Sequence, residues 1–125
     1  MDGRGEREKG GTGTRNYVKR GDIYFVAGGA VTGSEQGGNR PAIIVSNNVG
    51  NKYAPIVEVV FLTARKKTRL PTHVYINSSK RPSIALCEQV TTIDKSRLER
   101  RFGRVTAKEL RAIDRAIARS LGLNG

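Results

Sequence analysis

The chain has 125 residues, enough for one domain around a modest core, with 37% hydrophobic residues and a formal net charge of +12 at pH 7. One Cys excludes an internal disulfide, and one Cys with one His excludes the usual zinc sites. Charge of this size points to a polyanion, most simply nucleic acid, because attraction to phosphate needs no special geometry, while three Phe, four Tyr and no Trp argue against an extended base-stacking platform.

Residues 1–16 hold five glycines, mixed charge and no large apolar residue after Met1, so they read as a disordered tail ahead of a single domain over 17–125. That start has no apolar region of the signal-peptide kind, and no stretch approaches the roughly 20 apolar residues of a membrane span, so a cytoplasmic protein is expected. Val18, Ile23, Tyr24, Phe25 and Val26 predict a first strand around the break Lys19-Arg20-Gly21-Asp22. The loop Gly33-Ser34-Glu35-Gln36-Gly37-Gly38-Asn39 then leads to Arg40-Pro41. Proline fixes its own φ and pushes the preceding arginine towards an extended conformation, so Arg40 is a cation on a stiff mount. It stands at the mouth of Pro41–Asn47, a near-continuous apolar run read as a strand buried on both faces.

Asn47–Asn51 is dense in turn formers. Ile56–Thr63 is a β-branched strand, Ala64–Arg69 a basic loop, Thr72–Ile76 an alternating strand, Asn77–Pro82 a turn and Ile84–Thr91 a further strand. About five short strands with turns between them suggest a small barrel. Thr106-Ala107-Lys108-Glu109 is a capping box, Leu110, Ile113, Ile117 and Leu121 follow at helical spacing, and Gly122 is a stop signal. One amphipathic helix of about four turns is expected to close the chain.

Arg40 pairs with a surface carboxylate or is a fixed cation aimed into a groove. Thr63 ends a strand beside a basic loop, and gains meaning if its strand neighbours that of Arg40. Glu35, five residues before Arg40, is solvated surface, a holder of the guanidinium or a proton carrier. Glu88-Gln89 is a second acid–amide pair, read as structural, as is His73, the one histidine. Arg65, Lys66, Lys67 and Arg69 form one basic cluster, and Arg97, Arg100, Arg101 and Arg104 another. Each is a solvated face or part of a phosphate track that gives register rather than sequence choice. Cys87, in the apolar run Ile84-Ala85-Leu86, reads as a small buried thiol.

Together these residues resemble the MazF/PemK family of toxin endoribonucleases, the Gram-positive MazF type in particular. The likeness rests on Val18-Lys19-Arg20-Gly21-Asp22-Ile23-Tyr24, Gly33-Ser34-Glu35-Gln36-Gly37-Gly38, Arg40-Pro41, Thr63, Leu70-Pro71-Thr72-His73-Val74, Glu88-Gln89 and Thr92-Ile93-Asp94-Lys95, and covers about Tyr17 to Leu121. It implies a small SH3-like barrel with helices, a homodimer, metal-independent and cofactor-free cleavage of single-stranded RNA at a short sequence, and neutralisation by a cognate MazE-like antitoxin. It implies Arg40 and Thr63 as catalytic and Glu35, with Ser34 and Gln36, in the loop over substrate; beside that, Glu35 is the acid in range for catalysis, and Gly37, Gly38, Arg65, Lys66, Lys67, Arg69 and Gln89 are expected to complete the substrate surface. The Kid branch uses an arginine and an aspartate near its fifth strand; Leu86 and Glu88 stand there in this chain and speak against that arrangement. A CcdB-like gyrase poison requires a tryptophan-containing C-terminus, and this chain ends Leu121-Gly122-Leu123-Asn124-Gly125 without one. A basic RNA-binding module accounts for the charge but needs none of Glu35, Arg40 and Thr63.

Overall fold

The computed structural model describes residues 18–28, 39–64 and 69–123. Seven strands, β1 (Asp22–Val26), β2 (Arg40–Ile44), β3 (Ile56–Thr63), β4 (His73–Ile76), β5 (Ser83–Leu86), β6 (Thr91–Asp94) and β7 (Leu98–Arg104), pair antiparallel in the order β4-β5-β3-β2-β1-β7. The eight-residue β3 organises them. One edge pairs with β2; the other pairs with β6 over Ile56–Val59 and with β5 at Leu62 and Thr63. Its side chains alternate between two cores, as the period of a strand dictates. Val60 and Leu62 join Ile23, Ile43, Ala85 and Cys87 beneath Ile113 and Ala116 of the C-terminal helix α2 (Ala107–Leu121). Val57, Val59 and Phe61 join Val26, Ala42, Ile44 and Ile93 on the opposite face.

The mainly β fold with a C-terminal amphipathic helix agrees with the sequence reading, and α2 begins on the predicted capping box. Glu109 N donates to Thr106 Oγ1 at 3.1 Å and Thr106 N donates back to Glu109 Oε1 at 3.0 Å. Gly122 ends the helix at φ 70°, a left-handed conformation that favours glycine.

Three expectations are corrected. Asn47–Asn51 is not a turn: Asn48–Tyr53 forms helix α1, for which Asn47 is the N-cap, accepting from Gly50 N at 2.7 Å. Asn51 is buried, its Nδ2 donating to Ser46 O at 2.8 Å, so the polar run caps and brackets a helix. The strand from Pro41 ends at Ile44, because Ser46 and Asn47 leave the sheet to enter that helix. Ile84–Thr91 divides into β5 and β6 at a tight turn in which Gln89 N donates to Leu86 O at 3.0 Å. Arg100, Arg101 and Arg104 of the cluster before α2 lie on β7, which closes one edge of the sheet, where exposed charge suits an edge strand, and Arg97 ends the short 3-10 turn ahead of it.

Three of those arginines have a structural assignment; Arg97 Nε donates to Ala27 O at 3.0 Å, and the other two meet at one carboxylate. Asp22 is fully buried at the start of β1 and accepts from Arg101 Nε at 3.1 Å, Arg104 NH1 at 2.9 Å and Lys19 N at 2.9 Å. One carboxylate thus binds β7 to β1 and fixes the turn that precedes it.

Candidate active site

The pairing of β2 and β3 runs over Ala42↔Phe61, Ile43↔Val60 and Ile44↔Val59; extended two residues past its last pair, the same register brings Arg40 of β2 level with Thr63 of β3. Directly opposed residues of an antiparallel pair share a face and stand about 5 Å apart at Cβ. Thr63 in turn pairs with Ile84 of β5, Ile84 with Tyr75 of β4, and Arg40 with Val26 of β1. Tyr75, Ile84, Thr63, Arg40 and Val26 therefore form one row across five strands, on the face of the sheet away from α2.

Behind this row lies Phe61, 7% exposed, with the Arg40 guanidinium 4.4 Å above its ring centroid. The contact explains the stiffness of the mount: the ring is locked in the second core, and a cation above an aromatic face gains about 0.5–2 kcal/mol. It uses none of the arginine's N–H donors, and among the described residues no carboxylate pairs with Arg40. A half-buried arginine whose N–H donors meet no carboxylate among the described residues is a binding group for a phosphate, whose oxygens match its planar fork. Thr63 is half-buried beside it.

A second polar group lies one turn of sequence beyond β5. Glu88 accepts from Thr72 Oγ1 at 3.0 Å and meets His73 Nε2 at 3.2 Å, with Gln89 Nε2 at the limit of hydrogen bonding, 3.5 Å away. Partial burial pushes the Glu88 carboxyl up, but its backbone hydrogen bond, those from Thr72 and His73, and the His73 charge outweigh it and hold the group below the usual range. His73 is almost fully enclosed, and its Nδ1 meets no hydrogen-bond partner among the described residues. His73 holds Glu88, consistent with its structural reading, and Gln89 stands exposed beside them. Burial first, then the charges of Glu88 and Asp114, pushes the Cys87 thiol up to about 12, so it is no nucleophile.

The structure thus unites Arg40 and Thr63. Arg69 joins the far end of their row, its guanidinium 5.0 Å from the Tyr75 ring centroid. Gln89 lies instead with Glu88 and His73. Glu35, Ser34, Gln36, Gly37, Gly38, Arg65, Lys66 and Lys67 lie outside the described residues, as does the 1–16 tail. Sequence reasoning missed Phe61 and Tyr75. Phe61 was open to detection, because it stands two positions before Thr63 and so shares its face. Among the described residues, no three His, Cys, Asp or Glu side chains come together as metal ligands, and no helix is long and apolar enough to cross a membrane.

Residues 19–121 match the family of PemK-like, MazF-like toxins of type II toxin–antitoxin systems. An endoribonuclease MazF of Staphylococcus saprophyticus is 43% identical over 112 residues, spanning 86% of this chain and 93% of that protein. A mycobacterial endoribonuclease solved in complex with its cognate antitoxin superposes with a TM-score of 0.75 at 30% identity, over 86% of this chain and 98% of that one. MazF of Deinococcus radiodurans shares the fold, with a TM-score of 0.74 at 22% identity over 87% of this chain and 100% of that one.

Proposed function

We propose a site and a mechanism for this chain, which belongs to the PemK-like, MazF-like toxin family and is a toxin endoribonuclease acting on RNA. Its partners are single-stranded RNA and a cognate MazE-like antitoxin; the mycobacterial relative is solved with its own cognate antitoxin. Arg40 and Thr63 are the catalytic pair. Residues 17–125 form the toxin domain, which works as a homodimer in the cytoplasm without a metal.

RNA carries its own nucleophile, the 2′-OH. The protein has to hold that oxygen in line with the scissile P–O bond and neutralise the charge that gathers on the phosphorane. A guanidinium above Phe61 suits the second task, since it offers phosphate a preorganised fork and needs no rearrangement when charge develops. The Thr63 hydroxyl, opposite it across β2 and β3, hydrogen-bonds the same phosphate or the 2′-OH. Attack of the 2′-oxygen on phosphorus expels the 5′-oxygen of the next nucleotide, leaving a 2′,3′-cyclic phosphate and a 5′-OH. Glu35 is the proposed acid–base partner, and Ser34, Gln36, Gly37 and Gly38 are proposed contacts to the RNA strand. Arg65, Lys66, Lys67, Arg69 and Gln89 extend the contact surface.

The observation that carries this reading is the shared row of Arg40 and Thr63, with Arg40 free of any carboxylate among the described residues. The test incubates the pure protein and its Arg40→Ala variant with mixed-sequence RNA, with and without chelator, and maps the cut ends. Cutting by the parent at one short motif, persisting in chelator and lost in the variant, is expected. Equal cutting by a folded Arg40→Ala variant refutes the assignment of Arg40, and loss of parental cutting in chelator refutes metal independence.

A further inference from the structure

Tyr75 is unassigned by the reading above, although it occupies the same row as Arg40 and Thr63. Its ring is 53% exposed even with the Arg69 guanidinium 5.0 Å from its centroid. In the next row inward, His73 and Leu86 are buried, so the sheet beneath Tyr75 is solid. Strands spaced about 4.8 Å apart put Tyr75, two strands from Thr63, about 10 Å from the proposed scissile phosphate. An exposed flat ring beside a cation, on a basic surface and in line with a phosphate site, is the pairing that single-stranded nucleic-acid binders use: the ring takes a base and the cation the backbone.

We infer that Tyr75, capped by Arg69, is a stacking platform for one unpaired base flanking the cleaved bond, and so helps set which flanking bases are accepted. This rests on the proposed endoribonuclease reading. It needs one ring only, which is compatible with the scarcity of aromatics in the chain. Stacking tolerates every base but rewards purines and flat surfaces most, so the platform grades flanking positions instead of demanding one letter. Tyrosine suits the role because little conformational freedom is lost when it orders a partner.

The experiment compares the parent with Tyr75→Ala and Tyr75→Phe on an RNA pool that holds the mapped cleavage motif constant and randomises its flanks. Both kcat/KM and the sequences of the cut products are read, with oligomeric state followed by light scattering. Tyr75→Ala is expected to lower kcat/KM by about 5- to 150-fold on the best flanks and to flatten the flank preference, and Tyr75→Phe to retain both. Placing an abasic nucleotide at the preferred flank should cost the parent a similar factor and Tyr75→Ala almost nothing. An unchanged flank distribution in Tyr75→Ala overturns the inference while parental cutting keeps the enzymatic reading intact. Dissociation of the oligomer by Tyr75→Ala also overturns it, assigning the ring to a contact between copies of the chain. A parent that cuts no RNA removes both readings together.

Discussion

Two sets of arginines stand on this sheet in contrasting surroundings. Arg101 and Arg104 converge on the buried carboxylate of Asp22, which accepts from both and from Lys19 N. Arg40 is held by an aromatic ring instead, and no carboxylate pairs with it among the described residues. In sequence all three are cations in basic surroundings. What separates them is the partner: a carboxylate consumes hydrogen-bond donors and cancels charge, whereas a ring fixes position and leaves both available. A count of positive charge therefore overstates the phosphate-binding surface. Three of the four arginines in the Arg97–Arg104 cluster serve the fold: Arg101 and Arg104 hold β7 on β1 through Asp22, and Arg97 Nε donates to Ala27 O at 3.0 Å.

The sharpest way to break this contrast is to remove each anchor and ask whether chemistry or folding suffers. Arg40→Ala should lower kcat by about 10²–10³-fold, the usual cost of deleting one preorganised charge-stabilising donor, with the fold intact by circular dichroism. Asp22→Ala should do the reverse. The buried acceptor is lost, and the two arginines, 42% and 47% exposed, turn towards water, so the cost lies at the low end for a broken buried ion pair, about 3 kcal/mol. A urea midpoint measures it, and kcat below the transition should match the parent. Loss of activity at full folding would mean that β7 serves the site directly.

A smaller effect sharpens the same contrast through salt. Each phosphate neutralised by a cation contributes about 0.7 to the slope of log affinity against log salt for single strands. Arg69→Ala should reduce that slope by about one contact, measured on an uncleavable 2′-deoxy oligonucleotide. Arg101→Gln with Arg104→Gln should leave it nearly unchanged. A slope lowered by about two contacts in the double variant restores the whole cluster as a phosphate track.

The legibility of the chain follows the same division. Ile56–Thr63 and the helix from Ala107 were open to sequence reading because one physical signal dominated each: β-branching in the first, a capping box with an apolar stripe in the second. Strand β7 was not, because an edge strand protects itself with charge, and Leu98-Glu99-Arg100-Arg101 then looks like a solvated surface. Helix α1 was hidden because asparagine favours turns and N-caps alike, and only tertiary packing around Asn51 decides between them. At the site, the residue types of Arg40 and Thr63 were readable, but their opposition across two strands depends on register, and the Phe61 mount on a face shared with Thr63.

The smallest effect concerns a carboxylate on the other face. Glu109 closes the capping box and also accepts from Asn77 N at 2.8 Å and from Ser78 Oγ, so it pins the start of α2 to the β4–β5 turn. Partial burial raises its carboxyl, but hydrogen bonds from Ser78 and from the backbone of Thr106, Asn77 and Ser78 outweigh that and hold it below the usual range. A carboxyl depressed in the folded state stabilises fully above its unfolded value near pH 4.3, and that contribution fades as pH falls through the lower folded value. Because Glu109 is only partly buried, screening limits the gain to about 1 kcal/mol, comparable to a helix cap. Glu109→Gln keeps the shape and removes the titration. Thermal melts should therefore place the variant a few degrees below the parent at pH 7, with the gap narrowing as pH falls below the unfolded value and through the lower folded one. The depressed carboxyls of Glu88 and Asp94 contribute equally to both proteins and cancel in the difference. A gap that stays constant with pH would mean that the loss comes from the amide's altered hydrogen bonding and not from charge, and the rule that partners decide what a charge does would then fail at this position.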